Sequence, residues 1–412
     1  MFDRIFRAFQ YRDFRILWLG ACTSSIGTWM QSTAQSWLIY DLSDSTVYLG
    51  LDRFLGEIPI VLLSLFGGVL ADRVNRRYIL LGSQLLQMTC ATILTILLVM
   101  GVVSKQTGRV WPILVLSFFV GIAQAFGGPA YSALVPSLVD REHLPNAISL
   151  NSIQFQLARI VGPMIGTLPF AWMAGNQMAA GGVSFAFNAL SFLAVIVSLS
   201  LLQVKTIPNA PTSGMRHALG EGISFVWRQE ALRSLTFLAF SCTFFGMQMT
   251  GFFAALAENV FHLGASGNAT MLSVSGAGAV TGALVMASFG NLPNKGRRAL
   301  MMQLAFGLTI IAFSFATNLW LAYAMIFLCG VFMMCVFASI ASLVQLLVDD
   351  AMRGRVMSIY MLAFRGGMPL GALLTGFLAE RFALMYILRI QGVMVALLAL
   401  AFLLSGSAVK KH

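Results

Sequence analysis

The chain has 412 residues, of which 58% are hydrophobic and only 10% charged, with a mean hydropathy of +0.83. Soluble globular domains hold about 45–50% apolar and about 25% charged residues, so this composition excludes a soluble enzyme or binding module and indicates an integral membrane protein. The net charge of +11 invites a nucleic-acid partner, but its distribution along the chain assigns it to membrane topology instead.

Runs of about 20 apolar residues, each able to cross ~30 Å of hydrocarbon, recur along the whole length. The first six cover 14–40, 47–71, 79–101, 110–136, 145–173 and 179–203. Six more cover 231–260, 267–290, 298–317, 319–348, 354–379 and 385–407. The expected fold class is an all-α integral membrane protein with twelve transmembrane helices. Between the sixes lies the one long polar stretch, 203–230, which opens with Pro, Ser and Gly as a linker. Leu219, Ile223 and Val226 then share one face of a short surface helix. The expected domains are an N-terminal six-helix bundle over 1–203, a cytoplasmic linker with its surface helix over 204–230, and a C-terminal six-helix bundle over 231–412.

With the N-terminus placed in the cytoplasm, 19 of the 26 Lys and Arg residues fall on the cytoplasmic side. Four (Lys105, Arg109, Arg381 and Arg389) fall on the other side, and three (Arg53, Arg159 and Arg365) within spans. This asymmetry is the positive-inside rule, and it puts both termini in the cytoplasm. The opening MFDRIFRAFQYRDF is too charged for a cleaved secretory signal. All five cysteines lie within spans without metal-ligand spacing and read as free thiols. The four histidines, His143, His217, His262 and His412, lie at or outside span ends, which excludes a membrane haem or a buried histidine metal site. No metal and no cofactor are expected. The chain has neither a phosphate-binding P-loop pattern nor a selectivity-filter sequence, so direct ATP drive and channel function are not indicated.

The two halves are related by an internal repeat. A gap-free shift of 209 residues brings Gly121 onto Gly330, Leu138-Val139-Asp140 onto Leu347-Val348-Asp349, Ser149 onto Ser358 and Gly162 onto Gly371. Spans 4 and 5 thus correspond to spans 10 and 11. Parallel six-helix repeats imply two pseudo-symmetric bundles that rock about a site at their interface.

The stretch GGVLADRVNRRYIL (67–80) closes span 2 and opens span 3. Gly68 suits close helix approach, Asp72 places an anion at the membrane edge, and Arg73, Arg76 and Arg77 suit anchoring in cytoplasmic headgroups. The pattern Gly68-x-Leu70-Ala71-Asp72-Arg73-x-x-Arg76-Arg77-x-x-Leu80 resembles the signature loop of the major facilitator superfamily. Asn75 replaces a glycine of that pattern, and Asn also tolerates left-handed backbone. The resemblance implies that Asp72 faces the N-terminal end of span 11, where the helix dipole favours a negative charge, and latches the cytoplasmic side shut. The stretches 14–50, 144–166 and 353–380 are similar to exporters of the enterobactin-exporter and macrolide-efflux type. In the second half FGNLPNKGRR (289–298) keeps an arginine pair but no aspartate, so one latch of this kind is expected.

Span 5 carries Ser149, Ser152, Gln156 and Arg159 on one helical face, with Gly162, Pro163 and Gly166 beyond them. Pro163 frees a carbonyl and is expected to bend the helix there. Span 1 carries a similar stripe of Ser24, Thr28, Gln31 and Gln35, and span 10 carries Ser339, Ser342 and Gln345. Such stripes on buried helices face a water-filled cavity, or face one another through hydrogen bonds. Arg159 lies 14 residues past Pro145, roughly 21 Å along the helix. A guanidinium there costs ~2.5–3.5 kcal/mol on insertion scales, so it needs a partner or a hydrated cavity. Arg365 in span 11 sits at similar depth. Together Thr28, Gln31, Gln35, Ser152, Gln156, Arg159, Gln345 and Arg365 are the expected substrate-cavity residues.

Glu57 in span 2 is the deepest carboxylate of the first half, with Asp52 nearer the outer surface. A carboxylate alternating between burial and ion pairing would couple a proton gradient to cargo movement, and Glu57 and then Asp52 are the candidates. The competing reading makes Arg53 and Glu57, four residues apart, a structural pair. Within span 5, GPMIG resembles part of the antiporter signature of exporters. The resemblance implies a proton-driven exporter of amphipathic small molecules such as siderophores, macrolides or drugs. The expected protein is a monomer in the bacterial cytoplasmic membrane, with the lipid bilayer, protons and cargo as its partners and no nucleic acid. A lipid or lysolipid transporter, a facilitator without proton coupling and, last, a membrane enzyme are the alternatives.

Overall fold

Hydrocarbon offers no hydrogen-bond partner, so apolar runs of this length satisfy their backbone internally, as helices. In a computed structural model, which describes residues 6–173, 175–203, 215–289 and 294–405, they do so throughout. The first half forms α1 (Arg12–Ser43), α2 (Thr46–Arg73), α3 (Arg76–Val99), α4 (Trp111–Leu134), α5 (Leu144–Gly166) and α6 (Gln177–Leu201). A surface helix, Met215–Arg228, precedes the second set. That set is α7 (Glu230–Asn259), α8 (Gly264–Phe289), α9 (Lys295–Phe313), α10 (Leu319–Leu347), α11 (Asp350–Ala379) and α12 (Leu384–Leu404). The linker residues 204–214 lie outside the described residues, as does the side chain of Leu219.

Nine of these helices are long and apolar enough to cross a membrane by length and composition. Those that fall short are α1, α5 and α9. Helix α9 opens on Lys295, Arg297 and Arg298, whereas α1 and α5 owe their polarity to the Ser, Thr, Gln and Arg stripes in their middles. Helix α5 remains helical through Pro163 and is interrupted at Thr167, after which a short helix, Leu168–Trp172, follows.

The chain divides into two compact units. The first comprises Met1–Asp44, Leu55–Thr212 and Leu263–Ser273, and the second Ser45–Phe54, Ser213–His262 and Val274–His412. Each unit thus takes in the first turns of one helix from the other half. In the first, Asn268 of α8 donates its amide to the Thr33 carbonyl (3.1 Å) and to Ser36 Oγ (3.2 Å) of α1. In the second, Glu380 at the end of α11 accepts from the Thr46 backbone N–H (3.1 Å), Thr46 Oγ1 (3.3 Å) and Ser45 Oγ (2.9 Å). These groups open α2, where unpaired N–H groups and the helix dipole favour an anion.

Within each unit the repeat reappears as one packing device. Gly121 brings α4 against the Gly56 carbonyl of α2, and its counterpart Gly330 brings α10 against the Ser275 carbonyl of α8. Gly162 sets α5 on α1, where a Cβ would come within 2.8 Å of the Ile26 carbonyl oxygen. Its counterpart Gly371 sets α11 on the Phe244 carbonyl of α7. Glycine is needed at these positions because any side chain would hold the backbones apart.

Helix α7 departs from its counterpart α1. Glu230–Ser241 is α-helical, Cys242–Gly246 widens into a π turn, Met247–Phe252 tightens into 3-10 geometry, and Phe253–Asn259 is α-helical again. The buried Gln248 amide donates to the Thr243 carbonyl (2.8 Å), which the irregular turn leaves open. Such defects recur at functional hinges.

Gly121→Ala is expected to lower the unfolding free energy of the purified protein by about 1–3 kcal/mol through overpacking. Gly82→Ala in α3, where a Cβ meets nothing within 4 Å, should be neutral or slightly stabilising. Thermal unfolding followed by tryptophan fluorescence measures both, and equal effects would refute the packing role.

Candidate functional site

The polar side chains of α1 are not equivalent once the neighbouring helices are in place. Thr28 returns its hydroxyl to the Ser24 carbonyl (2.9 Å), and Ser24 is buried. Gln31 accepts from the Asn188 amide of α6 (2.6 Å), and Gln35 donates to Ser117 Oγ of α4 (2.9 Å). The two glutamines also approach each other at 3.5 Å. The stripe is therefore continuous with polar groups of α4 and α6, which the sequence reading did not include. Ser117 stands alone in an apolar stretch of α4 and Asn188 is the one amide side chain of α6 beyond Gln177, and these were the available signals.

On α5, Ser149 and Ser152 are exposed and bond to carbonyls four residues back, at 2.9 and 3.0 Å. Gln156 and Arg159 are half-buried on the same side. The Arg159 guanidinium carbon lies 5.8 Å from the centre of the Trp29 ring on α1, within cation–π range. Gly162 makes this possible, because its close approach brings α5 onto the backbone beside Trp29. Buried Gln154 also meets α1, where it donates to Ser25 Oγ (2.6 Å) and to the Ala21 carbonyl (3.1 Å). Glu57, also in this unit, is half-buried.

In the second unit Arg365 is half-buried on α11 and Gln345 is exposed on α10. Asp52 is half-buried. Arg53 reaches the Thr250 carbonyl of the 3-10 segment of α7 at 3.5 Å, and Gly251 beside it leaves room for the guanidinium. That carbonyl gives the Arg53 guanidinium an acceptor on α7. Among the described residues no group of three or more His, Cys, Asp or Glu could hold a metal.

The loop between α2 and α3 differs from expectation at Gly68 and at two arginines. A Cβ at Gly68 would meet nothing within 4 Å among the described residues, whereas one at Gly67 would collide with the Ala125 carbonyl of α4, so Gly67 is the close-approach residue. Asn75 has φ −58°, outside the left-handed region, and instead caps α3 by accepting from the Arg77 N–H (3.0 Å). Arg76 and Arg77 bind helix ends where headgroup anchoring was expected. Arg76 donates to the Ala133 carbonyl at the end of α4 (2.8 Å), and Arg77 to the Ser200 (2.8 Å) and Leu202 (3.2 Å) carbonyls at the end of α6. Cations suit helix C-termini both as donors and against the dipole. Arg73 is exposed, and the Asp72 side chain lies outside the described residues.

Arg77→Ala should therefore destabilise the protein by about 1.5–3 kcal/mol, the range for hydrogen bonds from a charged group. Arg73→Ala should leave stability unchanged, and thermal unfolding of the two variants side by side is the measurement.

Comparison with known proteins agrees with this architecture. A staphyloferrin A transporter of Staphylococcus aureus is 24% identical over 387 residues, covering 92% of each chain. Macrolide efflux protein A of Streptococcus pyogenes is 22% identical and covers 94% of each chain. Enterobactin exporter EntS of Citrobacter koseri is 24% identical, covering 88% of this chain and 84% of that one. Among solved structures, a POT family transporter in complex with 5-aminolevulinic acid superposes with a TM-score of 0.74 at 13% identity, covering 95% of both chains. Nucleoside transporter NupG superposes with a TM-score of 0.67 at 16% identity, covering 97% of this chain and 100% of that one. The profile of the transmembrane secretion effector family matches residues 5–411, and the chain belongs to that family of major facilitator superfamily transporters.

Proposed function

We propose that the protein is a proton-driven exporter of amphipathic small molecules, working by alternating access in the bacterial cytoplasmic membrane as a monomer with both termini in the cytoplasm. One observation carries this reading: similarity over nearly the whole chain to relatives named for staphyloferrin A transport and macrolide efflux. The polar side chains add chemistry to it. Arg159 beside Trp29, together with Gln156, Ser152, Thr28, Gln31 and Gln35, offers a cation, an aromatic face and neutral hydrogen-bonding groups. That combination suits cargo rich in hydroxyl or carboxylate groups with an apolar body. Gln345 and Arg365 are the corresponding contributors from the second unit.

Glu57, and after it Asp52, is the proton carrier in this reading, as half-buried carboxylates of α2. Asp72 is the conformational latch. Inverted membrane vesicles, in which export becomes uptake, should accumulate a macrolide, enterobactin or staphyloferrin A when their interior is acidic. Collapse of the gradient should abolish accumulation. Transport that is equally fast without a gradient and carries no protons would sink the antiport reading.

Three substitutions separate the roles. Glu57→Gln should abolish gradient-driven accumulation while cargo binding persists, and full retention of transport would remove Glu57 from the mechanism. Asp72→Asn should slow cycling at unchanged cargo affinity. Arg159→Lys keeps the charge but loses the planar fork, and a fall in transport of about tenfold is expected if Arg159 grips cargo through two donors.

A further inference from the structure

The second unit holds a cavity of about 600 Å³, well away in sequence from the polar stripes, where the surface helix meets the linker-side ends of α7, α11 and α12. Its mouth carries Trp227 and Arg233, and its inner wall Phe237, Phe240, Ile359 and Ala363. Arg233 to Phe240 is seven residues, roughly 10 Å of depth along α7. The volume lies within the ~300–1,000 Å³ range of small-molecule sites.

Two features of this cavity are not explained by packing. The first is charge. Among the described residues Arg233 has no carboxylate partner; its contacts are the Trp227 ring, 5.8 Å from the guanidinium carbon, and the Trp227 carbonyl at 3.5 Å. Arg228, five residues earlier, is also exposed, and Glu230 is the one acid between the two arginines, so this stretch of chain carries a net positive charge. The second is rigidity. The surface helix is fixed to α11 by the Arg355–Glu221 ion pair, and Gly222 packs on the Arg355 backbone, where a Cβ would come within 3.1 Å of the carbonyl oxygen. The two contacts hold the surface helix against α11 beside the cavity. Trp227, 69% exposed, and Phe237, 49% exposed, then line an apolar slot that begins at the depth where headgroups lie.

We infer that this cavity is a binding site for an anionic phospholipid, with the phosphate on Arg233 and an acyl chain running between Phe237, Phe240 and Ala363. The charge excess selects an anionic headgroup, and the apolar depth requires a chain attached to it. None of the residues that line it is among those assigned above to cargo or to proton coupling.

The test uses the full-length protein in detergent, with phosphatidylglycerol and phosphatidylcholine of identical acyl chains, followed by native mass spectrometry. Phosphatidylglycerol should be retained in preference to phosphatidylcholine, and Arg233→Gln should weaken it about tenfold. Ala363→Phe, which fills the inner wall, should weaken both lipids. Because either variant could fold poorly, a second readout uses the unaltered site. In mixed vesicles, phosphatidylglycerol with brominated acyl chains should quench Trp227 fluorescence, taken as the difference from Trp227→Phe, more than brominated phosphatidylcholine does. Equal quenching by the two lipids, or phosphatidylglycerol retention that survives both Arg233→Gln and Ala363→Phe, would overturn the proposal.

Discussion

Lipid supplies neither hydrogen bonds nor a hydrophobic drive for one helix to leave it for another, so a membrane helix meets its neighbour through contact quality alone. Here that contact is repeatedly a glycine against a carbonyl. Gly67, Gly121 and Gly162 perform it in the first unit, and Gly330, Gly367 and Gly371 in the second. Helices drawn this close bring Cα–H groups to facing carbonyls, which adds weak polar attraction to dispersion. The placement of the polar stripes follows from these contacts. Arg159 reaches Trp29 only because Gly162 has already set the spacing between α5 and α1.

Polarity is distributed with the same economy. Helices α1 and α5 are too polar to rank with the apolar spans, and they pack on each other with Gln31, Gln35 and Gln154 bonded to neighbouring helices and Thr28, Ser149 and Ser152 bonded to carbonyls of their own. The arginines at the end of the first unit work differently. Arg76 and Arg77 join the start of α3 to the ends of α4 and α6, so one short loop terminates three helices at once. A loop with that role is poorly placed to move on its own, and any motion it takes part in carries α3, α4 and α6 together.

Much of this was legible in the sequence. Hydropathy fixes the spans because crossing hydrocarbon is a length requirement, and the 209-residue shift pairs Gly121 with Gly330 and Gly162 with Gly371, glycines that do the same work in the structure. Partners were harder to read. Nothing local distinguishes Gly67 from Gly68; the difference is which one faces α4. Asn75 was compatible with a left-handed turn and serves as a cap. The arginines of the loop satisfy the positive-inside pattern whether they bind headgroups or carbonyls. The π and 3-10 turns of α7 left no mark in periodicity, since that helix is buried on nearly all sides and any register presents an apolar face.

Those turns set α7 apart from the helix that the repeat makes its twin. A π turn under-winds the chain and the 3-10 segment after it over-winds it, so the two phase errors oppose each other. The ends of α7 can keep their facing directions while the middle stores slack of both signs. Twist can then be exchanged between adjacent turns without unpacking either end, a torsional joint that the regular α1 does not have. Two halves related by one repeat therefore differ in the regularity of their first helix, unbroken in α1 and wound three ways in α7.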